Sequence, residues 1–93
     1  MAISVIVPNA LTPYTRGVGT LLIEERCATV AEALAAVAAR LPALTDRVLD
    51  EQGEVRRHVN IFVGEDSIKF LEGLSTAVDE GSTITIVPAV SGG

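Results

Sequence analysis

At 93 residues, with 12 acidic against 7 basic side chains and a formal net charge of −5, the chain has room for one small domain and the wrong sign for a phosphate backbone. Its residues are 48% hydrophobic but only 3% aromatic, which excludes a disordered chain and calls for a core of Val, Ile, Leu and Ala. One cysteine and one histidine exclude an intramolecular disulfide and a zinc centre, and the longest apolar run, Ala33 to Ala39, falls far short of the ~20 residues that span a membrane.

No basic segment precedes an apolar one at the N-terminus, so the reading is of a cytoplasmic chain without a signal peptide. Met1 to Pro8 reads instead as a strand, with Ile3, Val5 and Val7 on one side, Ile6 blurring the alternation, and Pro8 and Asn9 stopping it. Leu11 to Gly19 carries Pro13, Gly17 and Gly19 and reads as a loop, and Val18 to Glu24 as a second strand, which together predict an N-terminal hairpin. Thr29-Val-Ala-Glu32 is a capping box: the threonine hydroxyl accepts from the N–H three residues on, and the glutamate reaches back to the threonine N–H. The helix it starts places Val30, Ala33, Leu34, Val37, Ala38 and Leu41 on one stripe, with Glu32 and Arg40 off it, and Pro42 ends it. Leu44 to Leu49 reads as a short second helical turn, followed by a polar loop from Asp50 to Glu54 centred on Gly53.

His58 to Val63 is a strand placed centrally, with Val59, Ile61 and Val63 facing one way and Asn60 and Phe62 the other. Gly64-Glu65-Asp66 is a turn, Ile68 to Phe70 a short strand, and Glu80-Gly81-Ser82 a second turn. The last strand, Thr83 to Val87, alternates Thr83, Thr85 and Val87 with Ile84 and Ile86 and needs one buried face. Residues 1–88 therefore form the domain, and 89–93, Ala-Val-Ser-Gly-Gly, a small uncharged tail. The fold class is α+β: two layers, a mixed sheet of four to five strands with one main helix packed on one face. A sheet with its first and last strands side by side at the centre would be the β-grasp, or ubiquitin-like, solution, but periodicity leaves that adjacency open.

The usual carriers of chemistry read as structural. Cys27 reads as an inert thiol, His58 has no nucleophile in its motif, and Asp79-Glu80-Gly81 is turn chemistry; no catalytic residue and no metal ligand set emerges. Arg47, Arg56, Arg57 and Lys69 read as scattered solvated charge. Phe62 either fills a second core layer or stands exposed as a docking anchor, together with Val87.

The tail carries the chemistry instead. Five extended residues past Pro88 reach about 17 Å, enough to thread a narrow cleft. Gly92 and Gly93 have no Cβ to meet its walls, and Val90 and Ser91 are small enough to follow. A free α-carboxylate of pKa about 3.5 is ionised and a poor acyl donor, so it must be activated. Its attack on the α-phosphate of ATP would expel pyrophosphate and give an acyl adenylate, and a sulfur donor could then displace AMP to leave a thiocarboxylate, an anionic nucleophile at neutral pH. The chain has no Gly-rich phosphate loop, so the ATP chemistry belongs to a partner.

His58-Val59-Asn60-Ile61-Phe62-Val63, Asp79-Glu80-Gly81-Ser82 and the ending Val87-Pro88-Ala89-Val90-Ser91-Gly92-Gly93 resemble the MoaD/ThiS family of ubiquitin-like sulfur carriers over essentially the whole chain. Within it, Gly73-Leu74 and the Pro-Ala-Val-small-Gly-Gly ending resemble the carriers of O-phosphoserine-dependent cysteine biosynthesis. The resemblance implies a β-grasp fold and a protein cosubstrate rather than an enzyme. It further implies a thiocarboxylate on Gly93, an E1-like activating partner that uses ATP and Mg, and a sulfur-accepting synthase as second partner. Nucleic acid and membrane are not implied. The alternatives are the small subunit of molybdopterin synthase and a ubiquitin-like modifier conjugated through Gly93.

Overall fold

The computed structural model describes residues 2–88, so the readings placed on the tail, Val90, Ser91, Gly92 and Gly93 among them, lie outside the described residues. Five strands and two helices follow in the order β1 (Ile3–Ile6), β2 (Thr20–Ile23), α1 (Val30–Arg40), α2 (Pro42–Val48), β3 (Val59–Val63), β4 (Asp66–Ser67) and β5 (Thr83–Pro88). They make one mixed sheet in the order β2-β1-β5-β3-β4. The first and last strands are adjacent and parallel, with Ser4, Val5 and Ile6 opposite Thr83, Ile84 and Thr85, and this supplies the β-grasp adjacency. The strand at the centre is β5, and β3 lies beside it.

Alternation decides which side is core. Ile3, Val5, Ile23, Val59, Ile61, Ile84 and Ile86 are all buried on one sheet face, where Val30, Ala33, Leu34 and Val37 of α1 and Leu44 and Val48 of α2 complete the cluster. No aromatic ring is among the buried residues, so aliphatic packing alone fills this core, as the composition requires.

Several boundaries differ from the sequence reading for local reasons. The first two strands do pair antiparallel, Ile3 opposite Ile23, but the chain between them is no open loop: Asn9–Thr15 winds into a 3-10 helix. The Thr15 hydroxyl, buried there, bonds the Thr12 carbonyl at 3.0 Å and the Val18 carbonyl at 2.5 Å, which fixes the turn and delays the second strand to Thr20. Thr29 caps α1 as expected, accepting from the Glu32 N–H at 3.2 Å, but Glu32 reaches one residue further back, to the Ala28 N–H at 2.9 Å. The second helical turn is a seven-residue helix, because Pro42 both ends α1 and opens α2 at a position where its missing N–H is no loss.

The stretch Ile68 to Phe70 is a 3-10 turn rather than a strand, and the pairing partner of β3 is the two-residue β4 before it. Ser67 stops the strand, its hydroxyl accepting from the Lys69 N–H at 3.3 Å. The turn at Asp79–Ser82 is as expected: the Ser82 N–H donates to the Asp79 carbonyl at 3.0 Å, and Gly81 takes a φ of 84° that disfavours a side chain.

Candidate functional site

The tail leaves the body from β5. Its last described residue, Pro88, stands opposite Val59 at the end of a ladder that runs from Ile84 opposite Val63. β5 is paired with β1 along Thr83–Thr85 and with β3 from Ile84 to Pro88, so the point of departure lies past the end of the β1 pairing and is held against β3 at Val59.

The sheet face turned away from the helices lies beside that exit. Residues that share a register row there are Thr20, Ile6, Thr85, Phe62 and Ser67, and the next row toward Pro88 holds Asn60 and Val87. Phe62 and Val87 are thus diagonal neighbours on adjacent strands. Phe62 is half-buried and Val87 is 37% exposed. Phe62 is neither sealed in the core nor fully open: it lines an open groove of about 580 Å³ with Asn60, Glu65, Asp66, Ser67, Lys69, Phe70 and Leu71.

Phe70 and Leu71 were missed by the sequence reading, which absorbed Phe70 into a strand. The 3-10 turn sends Ile68 into the core at 3% exposure and leaves Phe70 88% exposed and Leu71 46% exposed. A ring so open in a protein with only two phenylalanines is an anomaly that folding does not explain. The signal available in the sequence was Gly64-Glu65-Asp66-Ser67, a turn and a capping serine too close to Ile68 for a further strand.

A second groove, of about 530 Å³, lies at the root of the tail and has Pro88 in its wall. Arg47 of α2 and Arg56 and His58 of the segment before β3 meet there with Tyr14 and Asp46. The Arg47 guanidinium lies 4.8 Å from the centre of the Tyr14 ring, and the Arg56 Nε–H donates to the Asp46 carbonyl at 2.9 Å. Of the four cations read as scattered charge, Arg47 and Arg56 converge, Lys69 belongs to the Phe70 groove, and Arg57 lines neither.

Cys27 sits half-buried after β2, with Glu24, Glu25, Arg26 and Glu80 around it. Burial first, and then the carboxylates of Glu32 and Glu25, push its thiol above the usual value, the opposite of an activated nucleophile. Among the described residues no group of three or more His, Cys, Asp or Glu side chains is placed to hold a metal ion, and no helix is long and apolar enough to cross a membrane.

Comparison with known proteins agrees with this geometry. The profile of the ThiS family matches residues 5–93. The sulfur carrier protein CysO of Mycobacterium tuberculosis (strain ATCC 25618 / H37Rv) is 33% identical over 99 residues, covering 100% of both chains. The crystal structure of the Amycolatopsis orientalis BexX/CysO complex contains a chain that superposes with a TM-score of 0.88 at 34% identity, over 99% of this chain and 100% of that one. Small archaeal modifier protein 3 of Haloferax volcanii is 36% identical over 66 residues, 71% of each chain.

Proposed function

The chain belongs to the ThiS family and is a ubiquitin-like sulfur carrier of the CysO type, and from that premise we propose that its working group is the Gly93 carboxylate. An E1-like enzyme using ATP and Mg adenylates it, with pyrophosphate leaving. A sulfur donor then displaces AMP, and the thiocarboxylate passes its sulfur to a synthase of cysteine or related sulfur-metabolite biosynthesis. The observation that carries this reading is the placement of Pro88: β5 is locked between β1 and β3, and residues 89–93 follow directly from its end. A rigid body with its acceptor group five residues beyond the last strand can be offered to an enzyme without unfolding.

In this reading Gly92, Ser91 and Val90 thread the cleft, and Phe62 and Val87, with Phe70 and Leu71, seat the body on the activating enzyme. The exposure of Phe70 supports such a covered face, and so does the solution of a similar chain in complex with a second protein. The body supplies recognition and no catalytic side chain, so the protein acts as a cosubstrate in the cytoplasm.

Incubation of the full chain with an E1-like enzyme, ATP, Mg and sulfide tests the proposal. Mass spectrometry of the C-terminal peptide is expected to show one oxygen replaced by sulfur, dependent on ATP. Unchanged mass with each activating enzyme of the source organism refutes it. The similarity to a small archaeal modifier favours one second reading, conjugation through Gly93 to lysines of other proteins. Isopeptide-linked adducts of Gly93 in cell extract would select it.

A further inference from the structure

The groove at the root of the tail is where the charge of the protein reverses. The chain carries a formal charge of −5, yet two of its seven basic side chains, Arg47 and Arg56, share this groove with His58, opposed there by the single carboxylate of Asp46. Neither arginine is ion-paired among the described residues. Arg47 is held over the Tyr14 ring, and Arg56 is held by its Nε–H on a backbone carbonyl, so both are positioned while their remaining N–H donors stay free of carboxylate partners. Stacking on a ring and bonding to a neutral carbonyl hold a guanidinium in place without neutralising it.

We propose that this groove receives a carboxylate-bearing segment of the activating enzyme, so that an acidic rim on that enzyme grips the carrier where the tail leaves it. The inference rests on the sulfur-carrier reading and names what recognises the partner. Pro88 lies in the groove wall, so an enzyme that encloses residues 89–93 must lay the edge of its cleft across this surface. The walls also include Leu11 and Ala43, and such a mix of aliphatic, aromatic and cationic groups suits a peptide segment better than a small hydrated anion. Exposed guanidinium–carboxylate pairs at a rim govern encounter and register, and they weaken as salt shortens the Debye length from about 10 Å at 0.1 M.

The test uses the full chain and the E1-like enzyme that adenylates it, with adenylation rates measured against carrier concentration at low and high salt. For the wild type the KM for the carrier is expected to rise with salt. The double variant Arg47→Glu, Arg56→Glu should raise KM at least tenfold at low salt with little change in kcat, and should flatten the salt dependence. Arg26→Glu, half that change of charge and placed on the loop before α1, should stay within twofold. Because Arg47→Glu both removes the contact with Tyr14 and adds negative charge, the pair Arg47→Gln, Arg56→Gln, which loses the same guanidinium groups without adding carboxylates, is run beside it and should raise KM in the same direction by less, and thermal unfolding confirms that each variant is folded. A double variant that matches Arg26→Glu, or a salt-independent wild-type KM, overturns the inference and leaves the sulfur-carrier reading intact. Saturable binding of inorganic phosphate in the groove, followed through amide shifts at Tyr14 and His58, also overturns it in favour of a small-anion site. A wild-type chain that no activating enzyme adenylates refutes the functional reading and this inference together.

Discussion

Replacing Phe70 by alanine separates recognition from folding, because the ring is 88% exposed and packs against almost nothing in the free protein. Its removal should therefore change stability by no more than about 0.5 kcal/mol. A phenylalanine side chain can bury roughly 200 Å². If the activating enzyme covers most of it, area alone at ~25 cal/mol per Å² sets a ceiling of about 4 kcal/mol. Ordering of the side chain and of the enzyme surface reduces that, so a loss of about 1–3 kcal/mol is expected, roughly 5- to 150-fold in affinity. The assay is the KM for the carrier in adenylation, read beside the thermal midpoint of the free chain. A variant that melts like the wild type but needs at least fivefold more carrier to half-saturate the enzyme supports the docking face. An unchanged KM refutes it, and a fall in stability above about 1 kcal/mol would show that the ring is held by the fold after all.

Other expected outcomes follow from the same geometry. Thr29→Ala removes the hydroxyl that accepts from the Glu32 N–H and should cost about 1 kcal/mol, lowering the thermal midpoint by roughly 4–8 °C without affecting sulfur transfer. Leu34→Ala, at 1% exposure under the sheet, should cost about 2–5 kcal/mol in denaturant unfolding, and a loss below 1 would contradict the packing described. Deletion of Gly92-Gly93 should abolish the sulfur-for-oxygen mass change; a truncated chain that still acquires sulfur would place the reactive atom elsewhere. Cys27 is a thiol whose value is raised, so its thiolate is scarce at neutral pH and grows only as pH climbs past the usual thiol range. Iodoacetamide at pH 6 to 7 should then modify a terminal thiocarboxylate well before Cys27, and the reverse order by peptide mapping would contradict the burial of that side chain.

Much of this protein is legible in its sequence because a few local patterns dominate. Period-two alternation in Thr83–Val87 and Val59–Val63, and the stripe Val30–Ala33–Leu34–Val37, identify the inward faces without further information. Strand adjacency is not a local property: the parallel pairing of β1 with β5 joins residues about eighty positions apart, and only the family resemblance supplied it. Short elements also escape periodicity. The Asn9–Thr15 turn is built by threonine hydroxyls bonding to backbone carbonyls, and Ile68–Phe70 is too short to distinguish a strand from a 3-10 turn by its apolar residues. That last ambiguity hid the most exposed ring of the molecule. The convergence of Arg47 with Arg56 was hidden for another reason, since it depends on how α2 packs beside the segment before β3.

The central position of β5 has a consequence for biosynthesis. The ribosome releases this strand after β1 to β4, and until it arrives the inner edges of β1 and β3 have no partner and Ile84 and Ile86 are missing from the interior. A nascent or prematurely terminated polypeptide that lacks Thr83–Pro88 thus cannot close its sheet and remains open to proteolysis. Completion of the body therefore comes immediately before delivery of the segment proposed to bear the sulfur handle, so a polypeptide cut short ahead of Thr83 should not form a folded body that could occupy the activating enzyme.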